Sequence, residues 1–321
     1  MVNSAGTQGG EALLAWRDRL RAPIIAAPLF IASTPALVLV QCTGGIIGTF
    51  PALNARSSAL FEEWLAQLSE ALAETAPFGV NLIVHRSNPR LDADLALCEK
   101  YRVPLVISSM GASEDVNRVV HGYGGSTLHD ITTQAHARKA IERGADGLIA
   151  VAAGAGGHAG TTSPFALISE IREWFDGPLA LAGAIGTGRG VLGARAMGVD
   201  FAYVGSAFIA TNEAGVGDAQ KVAMVEAAAE DIVYTPAFSG TPANYLKSSI
   251  AAQGLNPATL PALRRELQVG NQAGAAKTWT EIWGSGQGVG ATKTVEPAGE
   301  VVDRLVREYR DALKGLAMLA R

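Results

Sequence analysis

One imidazole stands in a run almost free of side chains: Ala153-Gly154-Ala155-Gly156-Gly157-His158-Ala159-Gly160. A lone histidine is most often structural, and a glycine-rich run is most often only a loop. Here nothing beside the ring competes for space, so His158 reads as facing a ligand. An imidazole titrates near neutrality and can remove or deliver a proton, or donate a hydrogen bond to an anion. The other four histidines carry less. His85 and His121 read as loop or helix-end residues, and His136 falls in a helix pattern. His129, beside Asp130, ends a strand pattern and either faces the same site or turns away from it. No pair has metal-ligand spacing such as His-Glu-x-x-His, and Cys42 and Cys98 are too few for a disulfide framework or a cysteine-rich metal centre. No metal is expected.

Two further places bring backbone rather than side chains. Leu181-Ala182-Gly183-Ala184-Ile185-Gly186 and Val204-Gly205-Ser206 each end an apolar run in small residues. Such turns let N–H groups approach a phosphate closely, helped by a helix N-terminus just beyond. Either alone is an ordinary turn, but as a pair they favour phosphate binding. Asn81 ends the buried run Phe78-Gly79-Val80-Asn81, where an amide is costly unless it caps a loop or reads a polar heterocycle. Ala26-Ala27-Pro28-Leu29 offers tight backbone to press on a flat ring. Ser108-Ser109-Met110-Gly111 offers hydroxyls, and Gly286-Gln287-Gly288 offers an amide or is a linker.

The elements that must position these groups alternate along the chain. Short runs apolar throughout read as buried parallel strands at 23–27, 45–49, 78–82, 104–108, 126–129, 147–151, 179–182 and 201–204. Helical patterns lie between them, at 35–42, 60–74, 92–101, 114–121, 133–143, 164–175 and 190–197. Eight strands within about 200 residues predict an α/β fold, a (β/α)8 TIM barrel, whose ligand sits at the C-terminal strand ends. An internal echo agrees: ERGADGLIAV at 142–151 and AMGVDFAYVG at 196–205 each end a helix on Gly and enter a strand through Asp. After Thr211 the rhythm changes. Helices are expected at 219–231, 244–253 and 260–267, with no further buried strand, and then a glycine-rich stretch at 282–292. The division expected is a barrel over 1–211, a mostly helical substrate-covering insert over 212–292, and a last helix within 293–321 returning to the barrel. Ile232-Val233-Tyr234 and Tyr245-Leu246 would pack on a second copy, as in a homodimer, or close over the substrate.

Composition narrows the class. The 321 residues are 48% apolar and 17% charged, with 37 glycines, which excludes a disordered chain. A net charge of −4 without a basic run argues against nucleic acid. The most apolar stretch, 24–40, is broken by Pro28, Ser33, Thr34 and Pro35, so no membrane span is expected. The N-terminal residues lack a signal-peptide core, and the reading is a cytoplasmic enzyme.

Taken in order, APL, PFGVN, AGGHAG, LAGAIGTGRG and VGSAF resemble the nitronate monooxygenase (formerly 2-nitropropane dioxygenase) family of barrels, over 23–211, with a weaker echo at IWGSGQGVG. The resemblance implies non-covalent FMN and oxidation of an alkyl nitronate by O2 to a carbonyl compound and nitrite. It implies Gly183, Ala184, Gly205 and Ser206 at the phosphate, and Ala27, Pro28, Leu29 and Asn81 along the flavin. Ser108, Asp130, Gly156, Gly157 and Gln287 follow as further cofactor contacts. His158 falls where the family has its catalytic histidine, to accept the proton of a neutral nitroalkane or bind the nitronate oxygens. The chain departs from many relatives at Leu29, where they carry Met, at Gly154, where they carry Glu, and at Gly183-Ala184, where Gly-Gly is common. The same barrel is similar to FMN-dependent enoyl-acyl-carrier-protein reductases and NADH:quinone reductases, which take hydride from NAD(P)H. A non-redox barrel holding a phosphorylated metabolite, or a flavin-binding scaffold, is the alternative of another class.

Overall fold

The computed structural model describes residues 7–73, 75–260 and 279–319. Eight parallel strands form the barrel among these residues. In chain order the strands among the described residues are β1 (Ile24–Ala26), β2 (Thr49–Pro51), β3 (Gly79–Ile83), β4 (Leu105–Ser109), β5 (Ser126–Ile131), β6 (Gly147–Val151), β7 (Gly157–His158), β8 (Leu179–Ala182), β9 (Phe201–Val204), β10 (Ile232–Thr235) and β11 (Ala243–Leu246). The barrel runs β1-β9-β8-β6-β5-β4-β3-β2. It closes through Ile25 and Ile47, where Ala26 N donates to Ile47 O at 2.8 Å and Ile47 N to Ile24 O at 3.1 Å. This closure explains why the second strand sits later than its apolar run. Ile47 bonds β1, and the regular strand begins only where the chain turns to β3.

The helices are α1 (Gln8–Arg19), α2 (Pro35–Thr43), α3 (Ser58–Ala71), α4 (Leu91–Lys100), α5 (Glu114–Gly122), α6 (Gln134–Glu142), α7 (Pro164–Arg172), α8 (Gly188–Ala196), α9 (Asp218–Glu226), α10 (Lys247–Ala252) and α11 (Ala298–Leu319). Several begin at a Ser or Thr cap, for example Ser57, Ser113, Thr133 and Thr187, each accepting a first-turn N–H. Gly144 and Gly198 end their helices at φ +88° and +97°, as the internal echo required. The two aspartates of that echo brace the closed end of the barrel. Asp146 accepts from Thr127 N at 2.8 Å and meets His121 Nε2 at 2.9 Å. Asp200 is held by Arg17 at 2.6 Å and Arg172 at 2.8 Å. Helix α1 covers this end, with Leu13 packed among Leu105, Leu128 and Phe201.

Strand alternation divides the side chains into two layers. Ile25, Ile47, Leu105, Ile107, Leu128, Ile149, Ala180 and Phe201 fill the barrel interior. Val80, Leu82 and Val106 face α3 to α5, while Leu148, Ala150 and Leu181 face the helices on the other side. Helix α11 buries Val301, Val302, Leu305 and Val306 in this second layer.

The segment after Thr211 holds helices, as expected, and also a hairpin that the pattern did not show. β10 and β11 pair antiparallel, and β11 continues onto β7, with Ala243 opposite His158 and Asn244 opposite Gly157. The expected helix at 244–253 therefore starts only at Lys247. Short strands with few apolar residues carry little periodicity, and here β7 supplies the pairing partner from a distant glycine loop. Residues 261–267 of the third expected helix lie outside the described residues. Tyr245 and Leu246 are fully buried, Leu246 beside Ile209 and Ala210, so they offer no outer surface. No helix among the described residues is long and apolar enough to cross a membrane.

Helix α8 lies so close to α11 that a Cβ on Gly188 would meet Leu305 O and Tyr309 N at 2.3 Å each. Backbone cannot yield as a side-chain tip can. Gly188→Ala should therefore cost about 1–3 kcal/mol of stability, the usual range for overpacking. Urea or thermal unfolding measures it, and a variant as stable as the parent would show that α11 is not seated on α8.

Candidate active site

The open end of the barrel gathers the C-terminal strand ends, and parity decides which groups reach it. Ile107 lies inside, so Ser109 does also, and Ser108 faces the outer layer. Leu128 lies inside, so Asp130 does and His129 does not. Side-chain bonding agrees. Asn81 Nδ2 donates to Ser109 Oγ at 2.6 Å and to Ile107 O at 3.1 Å, and Ser109 Oγ donates to Asp130 Oδ2 at 2.6 Å. His129 is instead taken up by Gly111 O at 2.5 Å and Asp130 O at 3.0 Å. Ser108 thus leaves the set of residues facing the mouth, and Ser109 takes its place. Two adjacent serines at a strand end could not be told apart without the register.

Asp130 ends this chain of bonds with Oδ1 buried and without a hydrogen-bond partner among the described residues. Burial holds its carboxyl above the ordinary range, against the opposing pull of His129 and the Ser109 hydrogen bond. A neutral carboxyl carries a donor as well as acceptors. Burial, with Asp130 nearby, also pushes the Tyr203 phenol up.

On the opposite side the mouth is made of backbone. Gly183 has φ +155° and Ala184 φ +56°, and a Cβ on Gly183 would stand 3.0 Å from Ala153 O. At the end of β9, a Cβ on Gly205 would meet Leu29 at 3.2 Å and Ala27 at 3.5 Å. Gly205, Ala27 and Leu29 are thereby brought together, with Ala27 N bonded to Val204 O at 2.9 Å. Ser206 Oγ accepts from Gly286 N at 2.9 Å, which ties the glycine-rich stretch of 282–292 to this rim. Gln287 N donates to Gly154 O at 2.9 Å. The helix N-terminus beyond β8 is already occupied: Gly188 N donates to Glu308 at 2.8 Å and Gly190 N to Thr187 at 3.1 Å. The expected help of that helix toward a phosphate is therefore reduced.

Gly154 explains its own identity. It has φ +84°, and a Cβ there would lie 2.8 Å from Gln287 Oε1 and 3.3 Å from Ala184 Cβ. A glutamate at this position would need a left-handed backbone and would displace the end of the Gln287 side chain. Gly156 is as tightly enclosed, its Cβ position lying 2.8 Å from Gly286 N.

His158 sits on β7, over the end of β6 and against the insert. Its Nε2 lies 3.0 Å from Ser239 Oγ, and its ring meets Trp279 edge-on at 5.4 Å between centroids. Trp279 in turn lies 5.2 Å from Tyr245. Burial lowers the His158 pKa to about 4, so the ring is neutral near pH 7. Ser239, Tyr245 and Trp279 were not legible as site residues, because strand pairing across about 85 residues brings them to His158. The remaining histidines hold structural bonds: His85 to Ser87, His121 to Asp146 and His136 to Thr132. Among the described residues no cluster could hold a metal ion.

A flat, phosphate-bearing cofactor is testable against this mouth. The rim of Gly183 and Gly205 is a cradle that a Cβ would fill, and Asp130 Oδ1 is a buried polar atom in want of a partner. Both features fit a flavin nucleotide.

Comparison with known proteins gives the same direction. The sequence model of the family described as nitronate monooxygenase matches residues 90–308. The nitronate monooxygenase of Paraburkholderia phytofirmans is 27% identical, over 93% of this chain and 95% of that one. That of Pseudomonas aeruginosa is 26% identical, over 91% and 97%. The crystal structure of nitroalkane oxidase from Streptomyces ansochromogenes superposes with a TM-score of 0.79 at 25% identity, covering 94% of this chain and 99% of that one. FabK from Thermotoga maritima, at 22% identity and a TM-score of 0.77 over 96% and 97%, shares the fold. The chain belongs to the nitronate monooxygenase family of flavin-dependent oxidoreductases.

Proposed function

We propose that this chain oxidises small alkyl nitronates with O2, releasing a carbonyl compound and nitrite, and that His158 serves as its base toward neutral nitroalkanes. The observation that carries the reading is a buried imidazole held against Ser239 and Trp279 on a two-residue strand at the barrel mouth, beside a rim of backbone that suits a flavin phosphate. FMN, when bound, supplies the electron-accepting and oxygen-reactive chemistry. Gly183, Ala184, Gly205 and Ser206 would hold its phosphate end, and Ala27, Pro28, Leu29 and Asn81 would line the ring system. Asp130, Gly156, Gly157 and Gln287 would complete the contacts. Residues 1–211 form the cofactor barrel in this reading, 212–292 the cover over the substrate, and 293–321 the returning helix.

The roles of the protein groups follow from their surroundings. A neutral His158 can accept the proton on the carbon that bears the nitro group, and the imidazolium so formed lies beside the nitronate anion it has made. Trp279 and Tyr245 shield this side from water, which strengthens that pairing. A nitronate supplied ready-made needs no proton removed.

An anaerobic titration of the purified flavoprotein tests the reaction class. Propyl nitronate should bleach the flavin and NADH or NADPH should not; bleaching by a pyridine nucleotide would move the reading to a reductase. His158→Asn should keep the yellow colour and lose roughly 10²–10⁴-fold in turnover of neutral nitroalkane. Unchanged turnover would end the assignment of His158 as base. In an NMR titration His158 should protonate with a midpoint of about 4, so this group stays neutral as pH falls from 8 to roughly 5. A midpoint at the ordinary 6.5 would remove the argument for a dry, neutral imidazole. Gly205→Val should lose flavin while keeping the fold, because the rim is closed to a side chain; full flavin content by absorbance would show the phosphate placed wrongly.

A further inference from the structure

The hydroxyl of Ser239 has one proton and three polar neighbours. Its Oγ lies 2.8 Å from Thr241 O, 3.0 Å from His158 Nε2 and 3.1 Å from Tyr245 OH. A carbonyl oxygen can only accept, so a contact of 2.8 Å to Thr241 O requires the Ser239 proton to lie there. The hydroxyl has then no proton to give His158. Tyr245 OH donates to Ser239 Oγ, and His158 must do the same through an Nε2–H. That assigns the tautomer: Nε2 carries the proton and Nδ1 carries the lone pair.

We propose that Ser239 is a positioning residue that holds His158 as the Nε2–H tautomer and presents Nδ1 as the proton acceptor. The proposal rests on the reading of His158 as base. Its parts come from one hairpin region, since Ser239 and Thr241 lie in the turn between β10 and β11 and Tyr245 lies on β11. β11 also pairs with β7, the strand that carries His158. The hairpin thus sets both the height of the ring, through backbone pairing, and its rotation, through the Ser239 acceptor. Edge-on contact with Trp279 restricts the ring's tilt without choosing a tautomer.

The test uses the flavin-loaded protein labelled with 15N at histidine. His158 should show a single Nε2–H tautomer whose proton is protected from exchange with water. Ser239→Ala should lose that protection, whereas Tyr245→Phe, which leaves the Thr241 and His158 contacts in place, should keep it. In parallel, Ser239→Ala should lower kcat/KM for a neutral nitroalkane about tenfold more than for the corresponding nitronate, since only the former needs a proton removed. An Nδ1–H tautomer in the parent protein would overturn the proposal. So would a protected Nε2–H surviving in Ser239→Ala, or equal losses of protection in Ser239→Ala and Tyr245→Phe. These outcomes separate from failure of the underlying reading. If His158→Asn retains nitroalkane turnover, His158 is no base; if His158→Asn is inactive while Ser239→Ala changes neither signal nor substrate ratio, only the positioning role fails.

Discussion

The closed parallel barrel forces a strict in-and-out alternation on each strand, and that parity selects which polar groups reach the mouth. Once Ile107 and Leu128 are committed to the interior, Ser109 and Asp130 must face the opening and Ser108 and His129 must face away. No side-chain rearrangement can exchange them, because a one-residue slip would turn the whole apolar set of a strand outward. The Asn81-Ser109-Asp130 chain is a consequence of this constraint. Three strands deliver one polar group each to the same layer, and each bond satisfies a group that would otherwise be buried alone.

The other half of the mouth follows a second constraint, the space around backbone. Gly183, Gly205 and Gly156 are small because another chain segment already lies at the Cβ position or just beyond it. Gly154 shows the trade most clearly: a left-handed backbone and the Gln287 side chain together occupy what a larger residue would need. A rim of this kind offers N–H groups in place of charge, so its affinity for a phosphate depends on shape. The capped N-terminus of α8 points the same way, since Glu308 and Thr187 have already taken first-turn donors.

Much of the fold was legible because it is written in local signals. The eight apolar runs, the glycine caps at 144 and 198 and the Ser and Thr helix starts each act over a few residues. The apolar runs placed most strands to within a residue or two, and the second strand moved only because barrel closure changes its partner. In the candidate site, the groups that could be named from sequence are those in short motifs at strand ends, such as the glycine rim and His158. The candidate site was illegible where distance in sequence matters. Nothing near Ser239 or Trp279 marks them as neighbours of residue 158, and the four-residue strand β11 hides within a segment that otherwise reads as helix. Ser108 against Ser109 is a different failure: the residues were found, but register was needed to choose between them.

The setting of His158 reconciles two demands that pull apart. A base in a dry site is weak, and burial brings this imidazole to about 4. Yet the same dryness strengthens the attraction between an imidazolium and an anion formed beside it. The cost of charging the ring is thus highest when the site holds no anion and falls once an anion lies against it. Such a group responds to its substrate only if its lone pair points at the right atom, because orientation is lost long before burial is. The barrel alone cannot provide that orientation, since β7 lies beyond the end of β6 and among the described residues pairs only with β11. The segment after Thr211 therefore bears on His158 directly: β11 pairs with the strand that carries it, and loosening the hairpin would release His158 while leaving the Gly183 and Gly205 turns on the barrel intact.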